Sequence, residues 1–139
     1  GDIKTFENIT QMFSLSGADG AMIGRGCYGR PWFPSQVIRY LRTGEKTPEP
    51  VLSIRQETVL SHIEDIFSHY GRDHGVLIAR KHIGWYSRSL HGSAEFRSRV
   101  NQESNADLVL HMTRQFFDNT FEDNCARDSQ SGNTTITEE

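Results

Sequence analysis

Apolar residues recur along most of this chain at helical spacing. Phe6, Ile9, Met12 and Phe13 form one stripe, which Thr5 can cap and Gly17 can stop. Such a face is expected to bury against a sheet. The short apolar run Ala21–Ile23 predicts a strand, and Gly24 and Gly26 follow it in a turn. Helix, strand and glycine turn in that order describe one αβ step of an α/β sheet, with its functional end after the strand. Pro31 is placed to open another helix to about Leu41, and Thr43-Gly44-Glu45 ends it. Residues 42–50, with Pro48 and Pro50, read as a linker and as the best domain boundary.

From about Val51 to Tyr70 the residues Leu52, Val59, Ile63, Ile66, Phe67 and Tyr70 predict a long amphipathic helix that Gly71 breaks. A second, from about His74 to Leu90, puts Val76, Ala79, Ile83, Tyr86 and Leu90 on one side. Lys81, Trp85 and Arg88 then fall on the opposite side. Gly92 ends that run, Ala94–Asn101 predicts a shorter basic helix, and Ser104 with Asp107 can cap a last helix through Phe121. Four helices with short connections predict a small bundle. Residues 122–139 are almost wholly polar and are expected to be disordered.

Charge sharpens this division. The net charge of -3 hides a tail in which Glu122, Asp123, Asp128, Glu138 and Glu139 face only Arg127. Residues 72–100 are the basic region, with Arg72, Arg80, Lys81, Arg88, Arg97 and Arg99 against Asp73 and Glu95, and a polyanion is the natural partner. At 139 residues, 35% hydrophobic and 24% charged, the chain reads as one soluble domain or part of a larger protein, with no apolar run long enough for a bilayer. It shows no signal-peptide pattern, and its start at Gly1 reads as an excised piece. Cys27 and Cys125 are isolated, and the six histidines have no ligand spacing, so neither disulfide nor metal is expected and a reducing cytoplasm fits. Cys27 has no assignable base and reads as a small packing residue.

Two places carry candidate chemistry. Gly24 leaves backbone N–H groups accessible and Arg25 supplies a charged fork, which suits a phosphate; an ordinary tight turn is the competing reading. Gly1-Asp2, just before a helix, can lie at a neighbouring strand end and share that phosphate, or Asp2 can be a capping acid. The segment lacks both the dinucleotide glycine spacing and the Walker lysine. The second place is Ala79-Arg80-Lys81-His82-Ile83-Gly84-Trp85-Tyr86, where a large ring lies among cations. Phosphates take the cations and bases stack on the ring, whereas a merely solvated charged face is the alternative.

In combination these segments resemble the C-terminal part of bacterial tRNA-dihydrouridine synthases of the DusB type. The resemblance rests on Gly1-Asp2-Ile3, Ser16-Gly17-Ala18-Asp19-Gly20, Met22-Ile23-Gly24-Arg25-Gly26, Gly29-Arg30-Pro31-Trp32, Thr43-Gly44-Glu45, Tyr70-Gly71, Ala79-Arg80-Lys81-His82 with Gly84-Trp85-Tyr86, and Phe96-Arg97 with Val100-Asn101. It implies a chain mainly α as it stands: residues 1–45 the C-terminal end of an FMN-binding α/β (TIM) barrel, 46–121 a helical tRNA-binding domain, 122–139 an acidic tail. It implies an oxidoreductase that reduces uridine in tRNA, with FMN and NADPH or NADH as cofactors. Gly1, Asp2, Gly24 and Arg25 would sit at the FMN phosphate, and Arg80, Lys81, His82 and Trp85 on the RNA-facing motif, with Arg88, Arg97 and Arg99 extending the basic face. The family's catalytic cysteine is expected upstream of Gly1; Cys27 is not that acid, and the piece alone is expected to be inactive and prone to self-association. The competing function is a free-standing helical RNA-binding or protein-interaction module without flavin.

Overall fold

A reciprocal cap starts the first helix. The Thr5 hydroxyl accepts from the Asn8 N–H at 3.2 Å, and the Asn8 side-chain carbonyl accepts from the Thr5 N–H at 3.2 Å. Helix α1 spans Phe6–Ser16 and ends where Gly17, at φ 62, takes the left-handed conformation that stops a helix. These details come from a computed structural model that describes residues 3–131, with side chains described through Asn124. Gly1 and Asp2 lie outside the described residues, as does the stretch 132–139.

Helix α2, Phe33–Thr43, carries Pro34 in its first turn and ends at Gly44. Pro34 rather than Pro31 is therefore the opening proline, because residues 25–33 are taken up by successive tight turns, including a single 3₁₀ turn over Arg25–Cys27. Ile9 buries against Phe33 and Val37 with Ile3, and Phe6 packs its ring 5.9 Å from Phe33 and 5.1 Å from Tyr40. The stripe of α1 thus covers α2 and not a sheet. Ala21–Ile23 forms no strand, and none occurs among the described residues, since a strand needs a hydrogen-bonded neighbour to exist. The overall class is mainly α, as expected.

The chain divides into two compact units, Gly1–Glu49 and Pro50–Glu139. In the first, the proline-bearing run is strapped down: the Gln36 side-chain amide donates to the Pro48 carbonyl at 2.9 Å, and the Glu49 carboxylate accepts from the Trp32 indole while pairing with Arg30 at 2.9 Å. Arg30 also lies over the Phe33 ring at 4.4 Å.

The second unit holds α3 (Leu52–Tyr70), α4 (Arg72–Tyr86), α5 (Ser93–Gln102) and α6 (Ala106–Ser131). Val59, Ile63, Val76, Ile83, Val100, Val109 and Phe117 are buried at its centre. Helices α3 and α4 approach closely at Gly75, where a Cβ would lie 2.8 Å from the Phe67 ring. Three boundaries differ from the sequence reading. Helix α4 ends at Tyr86, before Leu90, because Ser87–Gly92 fold into tight turns with Ser89 at φ 71. The cap of α6 is Asn105, not Ser104: its side-chain carbonyl accepts from the N–H groups of Asp107 at 2.9 Å and Leu108 at 3.1 Å. Helix α6 also continues past Phe121 to Ser131, which corrects the disordered tail over 122–131; once a packed helix is running, each further residue gains one hydrogen bond without a new nucleation step.

Candidate nucleic-acid interface

Residues Val76, Ala79, Ile83 and Tyr86 commit one side of α4 to the core, so Lys81 on the other side faces outward. One turn on, Trp85 is half-buried, and Arg88 follows in the turn after the helix. Helix α5 lies alongside at Gly84, whose missing Cβ would touch Arg97 Cδ at 3.5 Å. The Arg97 stem therefore rests on α4. Arg80, Lys81, Trp85, Arg88 and Arg97 together line an open groove of about 600 Å³. Ser89 and Asn101 complete its rim, and no described carboxylate lines it.

Arg80 has a second task. Its guanidinium donates to the Glu103 carbonyl at 2.8 Å, beyond the C-terminal end of α5, where the helix dipole favours a cation. Arg55 of α3 does the same for α4, donating to the Tyr86 carbonyl at 3.3 Å. These two arginines fix the helix ends on which the groove is built, and nothing in the hydrophobic pattern marks Arg55 for that role.

His82 points away from the groove. Its ring lies 4.7 Å from that of His62, and the His62 Nδ1 is 3.1 Å from the Tyr86 hydroxyl. Burial, with the neighbouring His62 and Lys81 charges, lowers His82 to about 4, so its ring is neutral at ordinary pH and offers phosphate no charge. Burial pushes the Tyr86 phenol up to about 12. His82 meets Trp85 edge-on at 5.0 Å and 85°, and thereby braces the ring that does line the groove. Arg99 is elsewhere as well. It lines a separate groove of about 260 Å³ between α5 and α6, together with Glu95 and Asp123. Of the seven residues expected on the basic face, the structure gathers five and sends His82 and Arg99 to other surroundings.

In the first unit, Gly26 is buried where a Cβ would strike the Ile3 carbonyl oxygen at 2.1 Å, so only glycine allows this approach. Gly24 has nothing within 4 Å of its Cβ direction, and Arg25 beside it is exposed. The turn thus leaves open space beside Gly24. The Cys27 thiol lies 3.7 Å from the Ile23 carbonyl and burial raises its pKa, so it stays protonated as a packing residue. Among the described residues no group of three or more His, Cys, Asp or Glu could hold a metal, and no helix is long and apolar enough to cross a membrane.

The sequence is similar to those of known proteins. A probable tRNA-dihydrouridine synthase of Rickettsia bellii is 50% identical over 117 residues, which cover 84% of this chain and 36% of that protein. Its counterpart in Rickettsia conorii is 44% identical over 124 residues, covering 89% and 38%. The tRNA-dihydrouridine synthase B of Xanthomonas axonopodis pv. citri is 43% identical over 118 residues, covering 85% and 36%. The chain thus spans little more than a third of the length of these relatives. The dihydrouridine synthase (Dus) profile matches residues 1–122, and the chain belongs to the dihydrouridine synthase family.

Proposed function

We propose that this chain is the C-terminal part of an FMN-dependent tRNA-dihydrouridine synthase, and that its second unit grips tRNA in the groove between α4 and α5. The observation that carries this reading is the convergence of Lys81, Arg88, Arg97 and the Trp85 ring on a concave surface that no described carboxylate lines. Cations there neutralise phosphates and release counterions, so affinity falls steeply with salt. Arg80 contributes through its hold on the Glu103 carbonyl. In the parent enzyme a uridine of tRNA would be reduced to dihydrouridine, with a nicotinamide cofactor as the source of electrons.

The first unit would hold part of the FMN phosphate. Gly24 fits because its backbone is open, and Arg25 because the planar guanidinium fork matches phosphate oxygens and the residue lies at the surface beside that turn. Gly1 and Asp2 belong to the same proposal. When bound, the flavin would supply hydride to the uridine ring, and Gly24 and Arg25 of this chain would hold its phosphate end. A turn of this kind does not enclose a ring system, so the chain alone is expected to bind FMN only weakly, and saturable micromolar binding in a fluorescence titration would contradict that.

The deciding experiment is tRNA binding measured across a salt series. Wild-type affinity is expected to fall steeply, and the Lys81→Ala, Arg88→Ala double variant to bind more weakly, with a slope lower by roughly one unit for each phosphate that is no longer neutralised. Binding indifferent to salt, or a folded double variant with parental affinity and slope, would refute the reading.

A further inference from the structure

We propose that the groove between α4 and α5 receives a single unstacked nucleotide of the RNA, its base lying on the Trp85 indole and its flanking phosphates on Lys81, Arg88 and Arg97; this rests on the tRNA reading above. The first argument is shape. With about 600 Å³ of space the groove is concave and open, with room for a small ligand. An A-form duplex presents phosphates and ribose hydroxyls on a convex rod, and its bases have both faces covered by neighbours. Only a base outside a stack has a face for an indole.

The second argument is preorganisation. Trp85 is braced edge-on by His82, His82 lies against His62, and His62 is within hydrogen-bond distance of the buried Tyr86 hydroxyl. A ring already fixed by its neighbours loses little freedom when a base lands on it. The third is the polar lining. Ser89 and Asn101 offer neutral donors and acceptors of the kind that read a base edge or a ribose hydroxyl, which phosphate recognition does not need. Ser89 is also the single non-glycine residue with positive φ among the described residues, at 71°, and such conformations gather at binding sites.

The neighbouring groove on α5 and α6 is a useful contrast. Its rings, Phe96 and Phe116, are stacked on each other at 4.1 Å and 4°, and Glu95 and Asp123 line it beside Arg99, so carboxylates offset its cation and the surface is less suited to phosphate.

The test titrates the chain with a short single-stranded oligouridylate, a duplex RNA of the same length, a tRNA transcript and polyglutamate, following tryptophan emission and affinity together. The single strand is expected to quench emission, and Trp85→Phe to abolish that quench while still binding, which assigns the signal to Trp85 rather than Trp32. Trp85→Ala is expected to weaken single-strand binding roughly 5- to 150-fold with an unchanged salt slope. The duplex is expected to bind in a salt-dependent way without quenching. If tRNA binds with a steep salt slope while emission stays constant and Trp85→Ala binds as the parent does, the nucleotide site falls and the tRNA reading stands. If the duplex quenches as strongly as the single strand, the site is likewise refuted. If no RNA binds, both fall, and tighter, quenching binding of polyglutamate would reassign the groove to an acidic peptide.

Discussion

The two units of this chain are held by different means. The first closes a small core, Ile3, Ile9, Phe33 and Val37, under solvent-facing straps: Lys46 on Glu7, and Arg30 and the Trp32 indole on Glu49. The second runs a continuous apolar core through all four helices and uses polar groups chiefly at helix ends, as Arg55, Arg80 and Asn105 show. Exposed ion pairs contribute about 0–1 kcal/mol each, whereas a fully buried large apolar side chain contributes about 1.5–3. The comparison leads to the expectation that the groove-bearing unit is the more stable one. The first unit, with Leu15 and Met22 80% and 87% exposed, is expected to open at lower free energy, and its amides to exchange earlier.

The largest effect tests the second unit. Phe117 is 1% exposed at its centre, so Phe117→Ala is expected to cost about 3–5 kcal/mol in chemical denaturation and to speed exchange across α3–α6. Destabilisation confined to the first unit would break the comparison. Gly26→Ala addresses the other side, because its Cβ would meet the Ile3 carbonyl at 2.1 Å. Overpacking of this kind costs about 1–3 kcal/mol, which is expected to unfold the first unit while tRNA affinity at the second is unchanged. Simultaneous collapse of both units would show that they do not differ in this way.

A smaller effect follows from His82. Its folded value of about 4 lies below the ordinary 6.5, so the unfolded chain binds the proton more readily. Stability is therefore complete above about 6.5 and declines as pH falls toward 4. The part due to His82 is expected to be on the order of 1 kcal/mol once its partial solvent access is discounted. Denaturation of wild type and His82→Gln at neutral and mildly acid pH measures it, and equal pH dependence in the two would rule it out. Smallest is Glu49→Ala, which removes the Arg30 pair and the Trp32 acceptor. A destabilisation of about 1 kcal/mol or less, seen as faster exchange in the first unit only, is expected.

Much of the second unit was legible in the sequence because each of its helices buries a stripe at helical spacing, and Gly71 and Gly92 interrupt it where helices end or begin. Lys81 and Trp85 could be placed on one side for the same reason, whereas Arg88 reaches the groove from the turn after α4 and not from a helical face. The Arg80 hydrogen bond could not, since periodicity gives direction but not partner, and its partner is a carbonyl 23 residues away. His82 and Arg99 were misplaced because a run of cations in sequence spans more than one face of a helix. Ala21–Ile23 has strand composition, yet composition supplies no neighbour to pair with. The end of α4 hid in Ser89, whose left-handed backbone has no signature in a serine.

Gly71 carries a consequence for how quickly the second unit forms. At φ 77 and ψ 162 it closes α3 and opens α4 by itself, with no intervening loop. The chain need search no loop conformations to bring the two helices together, and the pairs they form are local in sequence. Low contact order of this kind correlates with fast folding. The α3–α4 hairpin is thus expected to form early, and Gly71→Ala to slow refolding in stopped-flow measurements, because a methyl group there disfavours the backbone geometry that joins the two helices.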